Sequence, residues 1–438
     1  MDVRKLNPKK IPAISAAEKF AFLLYNMGWN LAIPLLRINS RIKDGFEQRI
    51  LKKGLPGVDL WIQAASAGEA YLAWNFVKNL RFVPYLRILI TSNTRQGIEI
   101  LARAADDIMR SEKGKKIFIS YFPFDKPAIM KKAVKEVRPK LMILLETEIW
   151  PGLMMALKKT GCRIVIINGR ITLKSFNRYI LWHSLFSRLS PDKIFAVSAP
   201  DAERFTLLFG KELVATMPNM KFDRLNSPLS DDENRDLNNL LPSNTPFIVL
   251  GSVRSEEEDQ VQEIILHLLK RRPDIIIGLF PRHMHRIGTW EERLNHISAT
   301  SVLRSKIDKT VSSGTVILWD VFGELGAAYG ISTAAFVGGS LAPLGGQNFL
   351  EAVVSGVVPV VGPYWDNFAW IGDEIFEQGL VTSAANPINV IDMLEKNINK
   401  PEQRDKVRDS IGKYIKERQG GTEIVCSYVE KFLKEKNF

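Results

Sequence analysis

Two doubly wound parallel sheets, each flanked by helices, are the fold class this α/β sequence predicts. Three observations carry the prediction. Short apolar runs alternate with helical stretches from Trp61 to about Phe209. The polar stretch Asn226-Ser227-Pro228-Leu229-Ser230-Asp231-Asp232-Glu233-Asn234 then reads as a linker, and the alternation restarts at Phe247. The chain has 438 residues, too many for one ordinary core and a natural length for two. In order, the expected strands of the first domain are Trp61–Ala65, Arg87–Thr91, Ile117–Tyr121, Leu141–Glu146, Arg163–Asn168 and Lys193–Val197. Those of the second are Phe247–Gly251, Ile275–Phe280, Val316–Leu318, Ala334–Val337 and Val357–Val361. The divisions placed on the chain are 1–40, a membrane-associating segment, then 41–222 and 223–438, two Rossmann-like domains. The last helical stretch, Lys406 to Lys436, is amphipathic and is expected to cross back to the first domain.

Hydrophobic residues make up 46% of the chain and charged residues 25%, which excludes a disordered protein. Two cysteines, Cys162 and Cys426, offer neither a disulfide framework nor a cysteine-rich zinc site. The net charge of +12 is unevenly placed: residues 1–210 hold 35 Lys+Arg against 17 Asp+Glu, and the remainder holds 25 against 31. So basic an N-terminal half suits a phosphorylated lipid or a membrane surface. Nucleic acid is set aside, because no RNP-type, zinc-finger or arginine-rich recognition segment is present. Phe20 to Leu36 is apolar but short of the ~20 residues that span a bilayer. Read as a helix, Phe20, Leu24, Met27, Leu31 and Leu35 share a face between flanking cations (Lys9, Lys10, Lys19, Arg37, Arg41, Lys43). That pattern fits a helix lying in the membrane interface, and equally an ordinary helix packed on a core.

The most informative segment is Leu60-Trp61-Ile62-Gln63-Ala64-Ala65-Ser66-Ala67-Gly68-Glu69, a strand running into a helix start. A carboxylate at the carboxyl end of a parallel strand faces the ligand crevice and is a candidate general base. Ser66 and Glu69 also spell a capping box, and on this segment alone the two readings stand level. In the second domain, Gly251-Ser252-Val253-Arg254 precedes the acidic helix start Glu256-Glu257-Glu258, and Ser252 suits a phosphate at a helix N-terminus. Pro281-Arg282-His283 ends a strand, and Arg282 offers a planar clamp for phosphate or carboxylate. His283 and His285 without further ligands make no metal site. Gly323-Glu324-Leu325 opens a helix. Gly338-Gly339-Ser340-Leu341-Ala342-Pro343-Leu344-Gly345-Gly346-Gln347-Asn348-Phe349-Leu350-Glu351 is a glycine-rich loop that would let a ligand close to the backbone; it lacks the Walker ending. Glu351 would accept hydrogen bonds from ribose hydroxyls, or simply cap its helix with Asn348.

From about Phe20 to about Val425, several motifs in order carry a resemblance. They are Ala65-Ser66-Ala67-Gly68-Glu69, Glu146-Thr147-Glu148-Ile149-Trp150-Pro151, Asn168-Gly169-Arg170 and Asn219-Met220-Lys221-Phe222-Asp223, then Pro281-Arg282-His283, Phe322-Gly323-Glu324-Leu325 and Gly338 through Glu351. With them the chain resembles the bacterial 3-deoxy-D-manno-octulosonic acid (Kdo) transferases. The resemblance implies a GT-B fold, two Rossmann-like domains facing across a cleft, the first taking the acceptor and the second the donor. It implies an inverting, membrane-associated enzyme at the cytoplasmic face of the inner membrane. Such an enzyme moves Kdo from CMP-Kdo to an anionic lipid A precursor in lipopolysaccharide synthesis, with no cofactor and no metal. Glu69 would be the general base. Glu146 and Glu148 would form a second acidic site, both on one strand face by periodicity, with Glu148 favoured for stabilising the transition state or holding the acceptor. Lys221 matches a stabilising lysine, and Pro281, Arg282, His283, Gly323, Glu324, Leu325, Asn348, Phe349, Leu350 and Glu351 match the CMP-binding segments. The chain departs from the family at Gln63 and Gln347, where histidine is usual, and at Pro218, where glycine is. A relative using another CMP-activated ulosonic acid or lipid acceptor, or a GT-B nucleotide-sugar epimerase, is the alternative.

Overall fold

Every expected strand forms in the computed structural model, which describes residues 16–81, 85–112, 114–225, 235–243, 245–399 and 404–435. The expected linker at 226–234 lies outside these described residues. The chain divides into two units: residues to Arg224 together with those from Arg418 onward, and Leu225–Glu417.

In the first unit, β1 (Leu60–Gln63), β2 (Leu86–Ser92), β3 (Lys115–Tyr121), β4 (Leu141–Leu145), β5 (Arg163–Gly169), β6 (Lys193–Ala196) and β7 (Val214–Thr216) pair in the order β3-β2-β1-β4-β5-β6-β7, all parallel. β1 and β4 are buried along their whole length, so they read as unbroken apolar runs rather than alternating ones. Leu72, Phe76 and Val77 of the helix Ala67–Asn79 cover one face together with Val425, Val429 and Leu433. Met130, Val134, Leu153 and Leu157 cover the other. Chain direction along the sheet reverses between β1 and β4, the topological switch at which open α/β sheets place their ligand crevice.

The second unit repeats the design. Here β8 (Phe247–Val253), β9 (Ile276–Pro281), β10 (Ser301–Leu303), β11 (Val316–Leu318), β12 (Ala334–Val337), β13 (Pro359–Val361) and β14 (Thr382–Ser383) pair in the order β10-β11-β9-β8-β12-β13-β14, again all parallel. Its switch point lies between β8 and β12. The sequence reading has no β7, β10 or β14. Each is two or three residues long and sits at a sheet edge, where one side is solvated and no apolar run is required.

The expected single helix over Lys406–Lys436 is two helices, Arg404–Lys416 in the second unit and Gly421–Glu435 in the first. Gly420, at φ 103, makes the break in a conformation that favours glycine. The Asp223 carboxylate accepts the N–H groups of Gly420 (2.7 Å) and Thr422 (2.6 Å), pinning the returning helix at its start. At the other end, the helix Ala16–Leu36 docks through Tyr25, whose hydroxyl donates to Asp125 at 2.7 Å, and Trp29, 5.7 Å from Phe124. Phe20, Leu23, Leu24, Met27, Leu31 and Leu35 are all more than half exposed. Among the described residues no helix is long and apolar enough to cross a membrane.

Candidate active site

The carboxyl ends of β1 and β4 bring three glutamates together. After β1 the chain turns at Ser66, whose hydroxyl accepts the Glu69 N–H at 3.3 Å and caps the helix. The Glu69 carboxylate reaches back to the Ala65 N–H (2.8 Å) and the Ser66 hydroxyl (2.8 Å). The capping spacing is therefore used, with the reciprocal bond falling one residue before the cap. These bonds favour the charged form, but the surroundings outweigh them. Glu69 is 8% exposed, and its carboxyl is pushed up to about 7, first by burial and then by Glu148 and Glu146.

The expectation that Glu146 and Glu148 share a strand face is corrected. β4 ends at Leu145, and Glu146 takes a left-handed conformation (φ 55) with its N–H donating to Ile167 O at 3.0 Å. This turn, not strand periodicity, gathers the carboxylates. Glu146 pairs with Lys221 at 3.0 Å. Glu148 accepts the Trp150 indole N–H at 2.7 Å, and its carboxyl is raised, mainly by burial, with the indole and the Gln63 amide pulling it down and Glu146 pushing it up. Lys221 arrives on a loop held by Asn168, itself left-handed (φ 53) and buried, whose side-chain oxygen accepts the Met220 N–H at 2.9 Å. Asn168, Asn219 and Trp150 stood in the quoted motifs, but only the structure gives them work. Asn219 accepts the Lys221 N–H at 3.0 Å.

In the second unit the singled-out residues follow the carboxyl ends of β8, β9, β11 and β12, one edge of a parallel sheet. Several then depart from the sequence reading. Ser252 lies within β8 at φ 55, where the register with β9 shifts, and does not cap the next helix. The Glu257 carboxylate accepts the Arg254 N–H (3.0 Å) in its place. Glu257 is 1% exposed and also accepts the N–H groups of Gly339, Ser340 (3.2 Å) and Leu341 (3.2 Å). The amides read as a ligand cradle are thus spent on an internal carboxylate. A Cβ on Gly338 would meet Glu257 Oε1 at 2.5 Å, so that glycine admits Glu257 rather than a ligand. Glu324 is likewise committed, held by Arg304 (2.9 and 3.1 Å) and the Trp319 indole (2.8 Å). Phe349 and Leu350 are buried, Phe349 against Phe368 at 5.1 Å.

What remains open to a ligand is cationic and polar. Arg282 is exposed and makes no ion pair among the described residues, while its backbone N–H is fixed on Val253 O at 2.7 Å behind the buried Pro281. His283 stacks on His285 at 5.6 Å, and its proton affinity is lowered by partial burial and by Arg254 and Arg282. Gly323 has open space where a Cβ would stand, just before Leu325 begins its helix. The Asn348 amide donates to the exposed Glu351 carboxylate at 2.8 Å, a bond between side chains, and the helix Leu350–Val354 starts after Phe349 without a side-chain cap, so the capping alternative is not realised.

Two all-parallel sheets, each with its polar groups at the switch point, define the class of two-domain Rossmann-like enzymes to which GT-B glycosyltransferases belong. A solved glycosyltransferase from Rickettsia africae shares this fold with a TM-score of 0.55, over 87% of this chain and 100% of that one, at 12% identity. Residues 37–224 match the family model of 3-deoxy-D-manno-octulosonic-acid transferases (kdotransferases). A 3-deoxy-D-manno-octulosonic acid transferase of Haemophilus influenzae is 29% identical over 389 residues, 86% of this chain and 88% of that protein. A bifunctional glycosyltransferase/methyltransferase of Fusobacterium nucleatum is 29% identical over 396 residues, 87% of this chain; the match covers 60% of that protein's length. Over most of its length the chain is thus similar to Kdo transferases, which are glycosyltransferases.

Proposed function

We propose that this chain is an inverting glycosyltransferase that moves Kdo from CMP-Kdo to a lipid A precursor, with Glu69 as the general base. One observation carries the reading. Glu69 stands just past the carboxyl end of β1 with a carboxyl pushed up to about 7, first by burial and then by two neighbouring carboxylates, and it pairs with no cation among the described residues. A base poised near neutral pH is suited to taking a proton from a sugar hydroxyl. In the proposed step the acceptor oxygen attacks the anomeric carbon, and its proton passes to Glu69. The bond from that carbon to the phosphate oxygen breaks, and CMP leaves with the electron pair. The transition state has oxocarbenium character, as in inverting glycoside chemistry. Charge growing on the departing phosphate is met by Arg282, with Arg254 and His283 beside it. Lys221 balances Glu146, so that one of the three carboxylates is paired.

The acceptor reading rests on the basic N-terminal half and on the exposed apolar stripe of the helix Ala16–Leu36. That stripe is proposed to lie in the interface of the inner membrane at its cytoplasmic face, where a phosphorylated, acylated acceptor resides. The purified chain, given CMP-Kdo and a tetra-acylated lipid A precursor, is expected to raise the mass of the lipid by one or more Kdo units. Consumption of CMP-Kdo without any change in the lipid would refute transfer.

A further inference from the structure

We propose that Arg404 is a positioning residue for the nucleotide donor, its guanidinium joining the far ends of the two short helices that carry the donor segments. The inference deepens the transferase reading and rests on it for the identity of the ligand; the join itself rests on hydrogen bonds. Residues 323–325 lead into the helix Leu325–Ile331, and residues 348–351 into the helix Leu350–Val354. Both helices start after the carboxyl ends of parallel strands, β11 and β12, and run back toward the amino ends of β12 and β13. Arg404 meets them there. Its Nη1 donates to Tyr329 O (3.4 Å) of the first helix and to Ser355 O (3.2 Å) at the end of the second, while Nη2 donates to Ser332 O.

A planar fork of N–H groups at helix C-termini satisfies carbonyls that have no partner within the helix, and it complements the negative end of each dipole. Arg404 forms no ion pair among the described residues, so backbone is all that it holds. Gly356 lets the two elements come this close: it turns at φ 85, and a Cβ there would meet the Arg404 carbonyl oxygen at 3.0 Å. The helices are seven and five residues long, so a shift at the joined end is carried about 8–10 Å to the start. In the second helix the link continues, because Ser355 Oγ donates to the backbone oxygen of Glu351 at 2.8 Å. The helix Arg404–Lys416 buries Val407, Ile411 and Tyr414, which gives the join a fixed base. Arg404 lies at the edge of the sheet opposite the donor segments and acts on the ligand only through the two helices.

The test is CMP binding by calorimetry, with transfer kinetics and hydrogen exchange, all on the full chain. Arg404→Met keeps the aliphatic stem and removes the donors. It is expected to weaken CMP binding roughly tenfold, the worth of one hydrogen bond to a charged group. The CMP-Kdo KM should rise by the same factor with kcat unchanged, and peptides covering both helices should exchange faster while β8 and β9 keep their protection. Arg404→Lys, able to reach one helix but not to bridge both, is expected to fall between. Gly356→Ala reads the same join if Arg404→Met does not fold, and should weaken CMP binding in like measure. Leu394→Ala is the destabilised control: its core cluster includes no residue of either helix, and CMP affinity is expected to stay at the wild-type value. CMP affinity at the wild-type level in Arg404→Met and Gly356→Ala, or lost equally in Leu394→Ala, overturns the inference. A wild-type chain that binds no CMP overturns the donor reading instead, and exchange across the two helices then decides this one.

Discussion

Glu69 serves its helix and its chemistry with the same two oxygens. Capping glutamates normally stay ionised; this one is lifted toward neutrality because burial excludes water and, after that, because two carboxylates face it. Transfer is expected to rise with pH up to about 7 and then level, since the base must be ionised. Lys221→Met should move that limb to higher pH, by exposing Glu69 to an unpaired Glu146, and a limb unmoved in pH-rate profiles would deny Lys221 this role. Stability carries the opposite sign. The folded carboxyl binds its proton more tightly than the ordinary value of 4.5, so its contribution is full below that value and lost as pH climbs through about 7. Urea titrations should therefore show wild type losing on the order of 3 kcal/mol relative to Glu69→Gln between those pH values. Glu69 and its cap were legible because strand, Ser66 and glutamate are neighbours in sequence. The left-handed turn at Glu146 and the lysine that answers it were not, because both depend on β5 and a distant loop.

Two buried aspartate and glutamate side chains organise the elements around the sites. Asp125 accepts the first N–H groups of the helix Pro151–Thr160, Gly152 at 2.8 Å and Leu153 at 2.7 Å, along with the Tyr25 hydroxyl. Asp125→Ala is expected to cost about 3 kcal/mol in denaturant unfolding, and Tyr25→Phe about 1 kcal/mol. Glu257 does the same for the glycine-rich loop, and Gly338→Ala should disorder that loop by driving a methyl group into the carboxylate. A sharp loss of CMP affinity with unchanged far-ultraviolet circular dichroism is the expected reading. Neither residue announced itself in the sequence. Asp125 caps a helix that starts well downstream, and Glu257 reads locally as one more acidic residue at a helix start, although its partners lie after β12. Helix starts and stops are local signals; a carboxylate shared between elements is not.

At the scale of the chain, periodicity placed the central strands of both sheets correctly, and the doubly wound order followed from their alternation with helices. The short edge strands β7, β10 and β14 escaped because solvent relaxes the apolar requirement there, whereas the longer edge strand β3 was legible. The return of the last helix to the first unit turns on Gly420 and Asp223, a break that the amphipathic pattern runs straight through. The helix Ala16–Leu36 keeps one face for the protein and leaves the other apolar and uncovered. Leu24→Glu with Leu31→Glu is expected to cut binding to anionic vesicles more than tenfold, about 1–2 kcal/mol for each exposed leucine withdrawn, while transfer to a soluble acceptor analogue persists. Unchanged sedimentation with vesicles would refute the interfacial reading.

The account depends most on the base. Its most direct test is single-turnover transfer from CMP-Kdo to the lipid acceptor by Glu69→Gln, a variant that keeps the Ser66 cap and is expected to bind CMP as wild type does. A loss of at least a hundredfold in rate, with the pH limb near 7 abolished, is what the account predicts. Transfer at the wild-type rate, with that limb still in place, would contradict it.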